Sequence, residues 1–288
     1  MSIAKILVPV TGTKRDTVAL RTAFAAAKVF GAHVEAMFVH PDPRETIPYV
    51  GVPLSPQVIQ DVIDAADEIA KAASKAARGN LATTAEEAQV RIVARAEKSE
   101  GPTASYVEQT GHFSAALEAA ALLTDLIVFP PTGHGDNPDM HEGLVRVLTR
   151  SGRPILLSPD DAGATLGKKV SIGWDGGLAA AHALTASLPF LKKAQSVQIL
   201  TFARAKERGA DAEAVKTYLA LHGVKATAQA FDPGTRGVSE LLPAAAMQSG
   251  CDLLVIGGYG HSHALETVFG GVTQRIVSQP RLPVFMMH

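Results

Sequence analysis

Residues 124–135, TDLIVFPPTGHG, and residues 251–262, CDLLVIGGYGHS, superpose without a gap, and Asp125 falls on Asp252. Continued, the same register sets Gly133 on Gly260 and Gly143 on Gly270, and each copy then closes with a short apolar run, RPILLS or LPVFMM. The beginnings of the two copies agree as well. KILVPV ends at Val10, a turn follows, an alanine-rich stretch runs from Thr17 to Phe30 with apolar residues at helical spacing, Gly31 stands where a C-cap would, and HVEAMFVH comes next. KVSIGW, DGG, a second alanine-rich stretch from Ala179 to Leu191, and SVQILTF repeat that order. A chain that alternates short β-branched runs with amphipathic helices can bury both only as a parallel α/β sheet with right-handed crossovers. The expectation is two tandem flavodoxin-like open sheets with helices on both faces.

The length of 288 residues suits two units of roughly 150 residues each, divided near PDDAGATLG into residues 1–160 and 161–288. The first unit carries an insertion over residues 55–98. SPQVIQDVIDAADEIAKAASKAA starts with a Ser55 cap and Pro56 at the first helical position and spaces Ile59, Val62, Ile63, Ala66 and Ile69 along a face. TAEEAQVRIVARAEK follows as a second helix, with Thr84 and Glu87 in capping-box spacing. A formal net charge of -1 gives no long-range attraction for nucleic acid or an anionic membrane. No apolar run approaches the ~20 residues that span a bilayer, and the N-terminus has no signal-peptide pattern, so the expected compartment is the cytoplasm. Cys251 lies beside an apolar run and reads as an inert thiol.

In open parallel sheets, ligands bind outside the carboxyl ends of the strands, at the point where successive connections part. IGGYGHSHALETVFGG occupies that place in the second unit. Gly257 and Gly260 follow the strand DLLVI, where positive φ and the lack of a Cβ would let backbone approach a ligand. Gly270 and Gly271 precede the helix VTQRIV, whose first N–H groups would face an anion. The array suits phosphate.

The spacing Gly257-x2-Gly260-x9-Gly270 resembles that of the universal stress protein family, whose nucleotide-binding members follow it with Ser or Thr. The resemblance covers nearly the whole chain and implies a tandem member holding one adenine nucleotide (ATP, ADP or AMP, with or without Mg²⁺) in the second unit. It also implies that the halves pack as a pseudo-dimer, RPILLS pairing with LPVFMM as the family's last strands do, which covers both open edges. It implies that Asp175 accepts from the adenine amino group, that Phe202 lies against the base, and that Gly257, Gly260, Gly270, Gly271, Val272 and Thr273 line ribose and phosphates. His261 stands where the family often has a basic residue, which predicts phosphate affinity that rises with acidity. Gly271 replaces the family's hydroxyl residue. The first unit departs further, with Thr11, Pro130 and Leu144 at the matching places, and is expected to hold no nucleotide, Gly133 and Gly143 serving as turns.

Rival readings of the same residues are an interaction scaffold without nucleotide, a slow ATP hydrolase, and a metal-dependent phosphohydrolase. Asp175 as a mere helix cap is the bland alternative for that residue. GATLGKK, from Gly163, is one residue short of a phosphate-binding P-loop and has Lys169 in the hydroxyl place. His261, His263, His288, His134 and His141 lack metal-ligand spacing, and no nucleophile stands beside a base, so the sequence assigns no catalytic and no metal-binding residue. The implied role is regulatory binding, with an unidentified protein partner; association of two chains is not fixed by the sequence.

Overall fold

The computed structural model describes residues 2–42, 55–132, 138–161, 165–202, 211–232, 237–258 and 271–288. Its first half runs β1 (Lys5–Val10), α1 (Arg15–Phe30), β2 (His33–His40), α2 (Pro56–Glu87), β3 (Arg91–Ile92), β4 (Thr103–Thr110), α3 (Phe113–Ala121), β5 (Leu126–Phe129), α4 (Pro138–Arg150) and β6 (Ile155–Leu157). The second half runs β7 (Lys169–Gly173), α5 (Leu178–Leu191), β8 (Ser196–Phe202), α6 (Ala212–Leu221), β9 (Ala226–Phe231), α7 (Val238–Gln248), β10 (Leu253–Gly257), α8 (Gly271–Ser278) and β11 (Val284–Met287).

Among the described residues, the strands join one 11-stranded sheet in the order β3-β4-β2-β1-β5-β6-β11-β10-β7-β8-β9. Within each half the ladder is parallel. The expected doubly wound halves are present. In the second, the chain steps outward from β7 to β8 and β9, then returns to the other side of β7 for β10 and β11. The connections therefore part between β7 and β10, and the first half repeats the arrangement between β1 and β5. The halves meet as the resemblance implies: β6 and β11 pair antiparallel, with Leu156 opposite Phe285 and Ile155 opposite Met286. Each of these two strands would otherwise be an open edge.

Two apolar layers sandwich the sheet. One joins α1, α2, α5 and α6 to Ile6, Val8, Ile172, Val255 and Phe285; the other joins α3, α4, α7 and α8 to Leu7, Ile127, Leu200, Leu254 and Met286. Neighbouring strand residues divide between the layers, as the period of two demands. The layers cross the seam: Phe30, the last residue of α1, meets Phe190 of α5 edge-on at 4.7 Å between ring centroids. Gly31, with φ of 67°, ends α1 as expected.

Two sequence expectations need correction. The stretch expected as a second helix runs from the last turn of α2 into the short strand β3, so the insertion holds one helix of 32 residues, Pro56–Glu87. Its start is as predicted, with Pro56 in the first turn and the Ser55 hydroxyl accepting from Val58 N at 3.4 Å. Thr84, however, lies inside the helix, buried, and its hydroxyl donates back to the Asn80 carbonyl at 2.7 Å instead of capping a new start. Ala77, Leu81 and Ala85 continue the buried face through this point, so tertiary burial overrides the local cap signal. The helix ends only where Gln89 takes a φ of 54° and Val90 N reaches the Ala85 carbonyl. Gly143, second, is no turn: it sits inside α4, where a Cβ would lie 3.0 Å from both Leu117 and Phe113 of α3, so it lets two helices touch.

Candidate functional site

The parting of connections in the second half places three strand ends around one mouth. From β7 come Trp174, Asp175, Gly176 and Gly177, which turn the chain into α5. Asp175 is half-buried, and its Oδ1 accepts from Gly177 N at 2.9 Å. Gly176 has φ of 78° and Gly177 is the N-cap of α5, extended at φ of -83° and ψ of 164°. The Asp-Gly-Gly run is thus a closed local solution: the carboxylate folds back on the turn, and the glycine in the left-handed region gives the turn its direction. Leu178, the first residue of α5, is 73% exposed beside it.

From β10 comes Gly257. Its φ is not in the left-handed region, contrary to the sequence expectation. Its missing Cβ matters for another reason: one added there would sit 2.5 Å from Ala180 N and 2.7 Å from the Ala179 carbonyl carbon. Gly257 is therefore the seat on which the first turn of α5 rests, and it draws that helix start directly over the end of β10. Gly173, at the end of β7, is closed in the same way by Leu242 and Ile256.

Gly258 carries the contact into the other half, since a Cβ on it would lie 2.8 Å from the Leu148 side chain of α4. The last residue also reaches this point. His288 Nδ1 lies 2.9 Å from the Gly258 carbonyl, His182 Nδ1 of α5 lies 2.9 Å from the His288 carbonyl, and Gly258 N donates to Met287 O at 2.8 Å. The sequence set His288 aside with the other histidines. Nothing in its spacing signals that it ties α5 to the strand end before the glycine loop.

Phe202 ends β8 and is 7% exposed, with its ring 6.1 Å from that of Phe231 on the α7 side of the sheet. The structure thus brings Asp175 and Gly257 together around α5 and puts Phe202 on the adjoining strand end, largely spent on packing. Gly260, His261 and Gly270 lie outside the described residues. Gly271, Val272 and Thr273 form the first turn of α8, as expected for a helix there, and the side chains of Val272 and Thr273 are outside the described residues. Trp174 Nε1 is buried with no hydrogen-bond partner among the described residues, a feature no sequence pattern announces.

The matching place in the first half is filled by the chain itself. Asp16, 1% exposed, accepts from Thr11 N at 2.9 Å, Gly12 N at 2.7 Å, Thr11 Oγ1 at 3.2 Å and Asn80 Nδ2 at 3.3 Å. Burial pushes its carboxyl above the usual range, against the pull of these hydrogen bonds. Asn80 belongs to α2, which also sets the Ala73 carbonyl against Gly12 so closely that no Cβ would fit. Two amide donors of the β1–α1 loop, Thr11 N and Gly12 N, are satisfied by a buried carboxylate, and the long helix lies across them.

Among the described residues, no three His, Cys, Asp or Glu side chains are grouped to hold a metal ion, and no helix is long and apolar enough to cross a membrane. Burial pushes the Cys251 thiol up, away from the reactive thiolate, and its Sγ donates to the Leu253 carbonyl.

No protein-family model and no curated protein matches the chain by sequence. Solved structures do match over nearly its full length. A universal stress protein from Archaeoglobus fulgidus DSM 4304 superposes with a TM-score of 0.67 at 15% identity, covering 98% of this chain and 95% of its own. A provisionally assigned universal stress protein from Pseudomonas aeruginosa UCBPP-PA14 gives 0.56 at 15% identity, with 99% and 93% covered. The cytoplasmic domain of a prokaryotic cation chloride cotransporter gives 0.51 at 12% identity, with 98% and 94% covered. One architecture thus serves proteins of different function, so the site, and not the fold, must carry the functional argument. The chain has the universal stress protein fold, built twice along one polypeptide and joined through β6 and β11.

Proposed function

We propose that the chain is a tandem universal stress protein, with units at residues 1–160 and 161–288, that acts in the cytoplasm and binds one adenine nucleotide in its second unit as a regulatory ligand. The observation that carries this reading is the contrast between two equivalent mouths in one sheet. Where β1 and β5 part, a buried Asp16 consumes the loop donors and α2 lies over them. Where β7 and β10 part, Asp175, an exposed Leu178 and the first turn of α5 border the strand ends. A half-buried carboxylate next to apolar surface suits an adenine, whose amino group donates and whose faces are apolar. Gly270 and the first turn of α8 supply backbone N–H groups for phosphate, and His261 and Thr273 add side-chain contacts. Phe202 limits the depth of the base pocket. Occupancy selects the surface offered to a protein partner. Hydrolysis is no necessary part of this role, and Mg²⁺ would enter with the phosphates alone.

The test is mass analysis of small molecules released on denaturing freshly purified protein, with Asp175→Ala alongside. Adenine nucleotide near one per chain, lost in the variant, is the expected result. Nothing released, followed by no binding of ATP with Mg²⁺ by calorimetry, leaves the scaffold reading. Metal-dependent turnover leaves the hydrolase.

A further inference from the structure

Helix α2 carries two apolar stripes, and the fold uses one. Ala70, Ala77, Leu81 and Ala85 are buried on the side that faces α1 and the sheet. The other stripe is Val58, Val62, Ala65, Ile69, Ala72 and Ala76, in steps of four, three, four, three and four. Val58 is 44% exposed and Ile69 71%, Val62 is partly exposed, and the three alanines are exposed. A single exposed aliphatic is ordinary. An unbroken 3.5-residue period over this length is the seam of a coiled coil.

We propose that this stripe is a self-association surface, on which α2 of a second copy packs antiparallel about a twofold axis beside Asp67. The spacing is a palindrome about that residue. In the antiparallel register Val58 faces the partner's Ala76, Val62 faces the partner's Ala72, and Ala65 faces the partner's Ile69. Every layer then sets one branched side chain against one alanine, which fills space evenly and lets the axes approach to the short end of the usual 8–10 Å. A parallel pair would stack Ile69 on Ile69 and alanine on alanine, leaving bulges and voids.

Charge selects the same register. Asp61, Asp64 and Glu68 flank the amino-terminal part of the stripe, and Lys71, Lys75 and Arg78 the carboxyl-terminal part. Antiparallel packing brings Asp61 beside the partner's Lys75 and Asp64 beside the partner's Lys71; parallel packing sets like charges together. Lys71 already pairs with Asp67 and Glu68, and Arg78 with Glu108, but among the described residues neither Asp61 nor Lys75 forms an ion pair within the chain, so the contact of Asp61 with the partner's Lys75 carries the selection. A single helix pair falls at the low end of specific interfaces, so the dimer is weak, with a dissociation constant of order micromolar.

The experiment is sedimentation equilibrium of the full chain over a range of concentrations, beside Ile69→Lys. Ile69 is mostly exposed, so the variant keeps its fold, which an unchanged unfolding midpoint verifies. The wild type is expected to show a reversible monomer–dimer equilibrium and Ile69→Lys at least a tenfold weaker one. Direction is read from disulfide trapping in a Cys251→Ser background. Val62→Cys mixed with Ala72→Cys should crosslink, and neither should crosslink alone. A wild type that stays monomeric, which would leave the stripe to a different partner, overturns the proposal. So does a dimer indifferent to Ile69→Lys, or crosslinking of one variant with itself.

Discussion

Asp125 and Asp252, which superpose in the two sequence copies, perform the same task in the two halves. Asp125 Oδ2 accepts from Ala4 N at 2.8 Å and Lys5 N at 3.0 Å, and Asp252 accepts from Lys168 N at 3.1 Å and Lys169 N at 2.9 Å. Asp125 precedes β5 and Asp252 precedes β10, and each pins the start of the first strand of its half. The duplication thus preserves a carboxylate that sets strand register far from either mouth. Asp125→Ala and Asp252→Ala should each lower unfolding free energy by about 1.5–3 kcal/mol, the usual range for a hydrogen bond to a charged group. Denaturant titration of both checks this, and the two losses should be of similar size.

Gly257 gives a prediction that separates packing from ligand contact. A methyl group there would overlap the backbone of Ala179 and Ala180. Backbone cannot rotate aside as a side chain can, so Gly257→Ala should displace the start of α5 and cost about 1–3 kcal/mol, as overpacking does. Gly258→Ala meets the end of the Leu148 side chain instead, which can shift, and should cost less. Thermal unfolding of ligand-free protein measures both without reference to nucleotide.

These glycines also mark the limit of what the sequence discloses. Strands β1, β2, β5, β6, β7, β8, β10 and β11 were legible as short apolar runs, whereas β3, β4 and β9, RI, TASYVEQT and ATAQAF, lie at or near the sheet's outer edges, carry too few apolar residues to stand out, and were not read. The pairing of β6 with β11 was legible through the resemblance to the family, whose subunits associate by their last strands, and the open edges of both runs agree with it. Gly257 was placed correctly at the mouth, but its reason was not readable, since the contact that demands a glycine comes from α5, more than seventy residues away. Thr84 and Glu87 spell a capping box, yet the buried face through Leu81 and Ala85 carries the helix past it. Asp16 had a visible signal, an acid in the first turn of the first long helix, but its four donors come from two segments that only the fold brings together.

His33 makes stability depend on pH near neutrality. Its ring is buried between Thr103 Oγ1 at 2.8 Å from Nδ1 and Ser105 Oγ at 2.9 Å from Nε2. Burial lowers its pKa below the usual imidazole value of 6.5, with Glu35 pulling it up and Lys5 pushing it down. The unfolded chain therefore takes up this proton first, so the contribution is whole above 6.5 and shrinks as pH falls from there toward the lowered folded value. Denaturation midpoints measured from neutral pH downward should fall across that window. In His33→Gln the part of the slope that begins near 6.5 should vanish.

Asp16 has the opposite sign. Its carboxyl is raised above the usual 3.8, so in the window above that value the folded protein holds the proton more firmly than the unfolded chain does. Its contribution is whole below 3.8, declines as pH rises through the folded value, and stays reduced at neutrality. The same carboxylate closes the first-half mouth, which makes the stability and the binding consequences separable. Asp16→Ala leaves Thr11 N and Gly12 N without their acceptor beneath α2 and should cost about 1–3 kcal/mol, the penalty for unsatisfied buried donors. Asn80→Ala removes a donor to Asp16 and to the Thr13 carbonyl and should cost less, about 0.5–1.5 kcal/mol. The difference in unfolding free energy between wild type and Asp16→Ala should widen on acidification through the raised pKa, whereas that between wild type and Asn80→Ala should narrow, because the Asn80 donation lowers the Asp16 pKa and supports the ionised carboxylate. Because the Ala73 carbonyl still lies against Gly12, neither variant should gain a nucleotide in the first half. Calorimetric titration with ATP at an unchanged stoichiometry would establish that α2, and not Asp16 alone, closes that site.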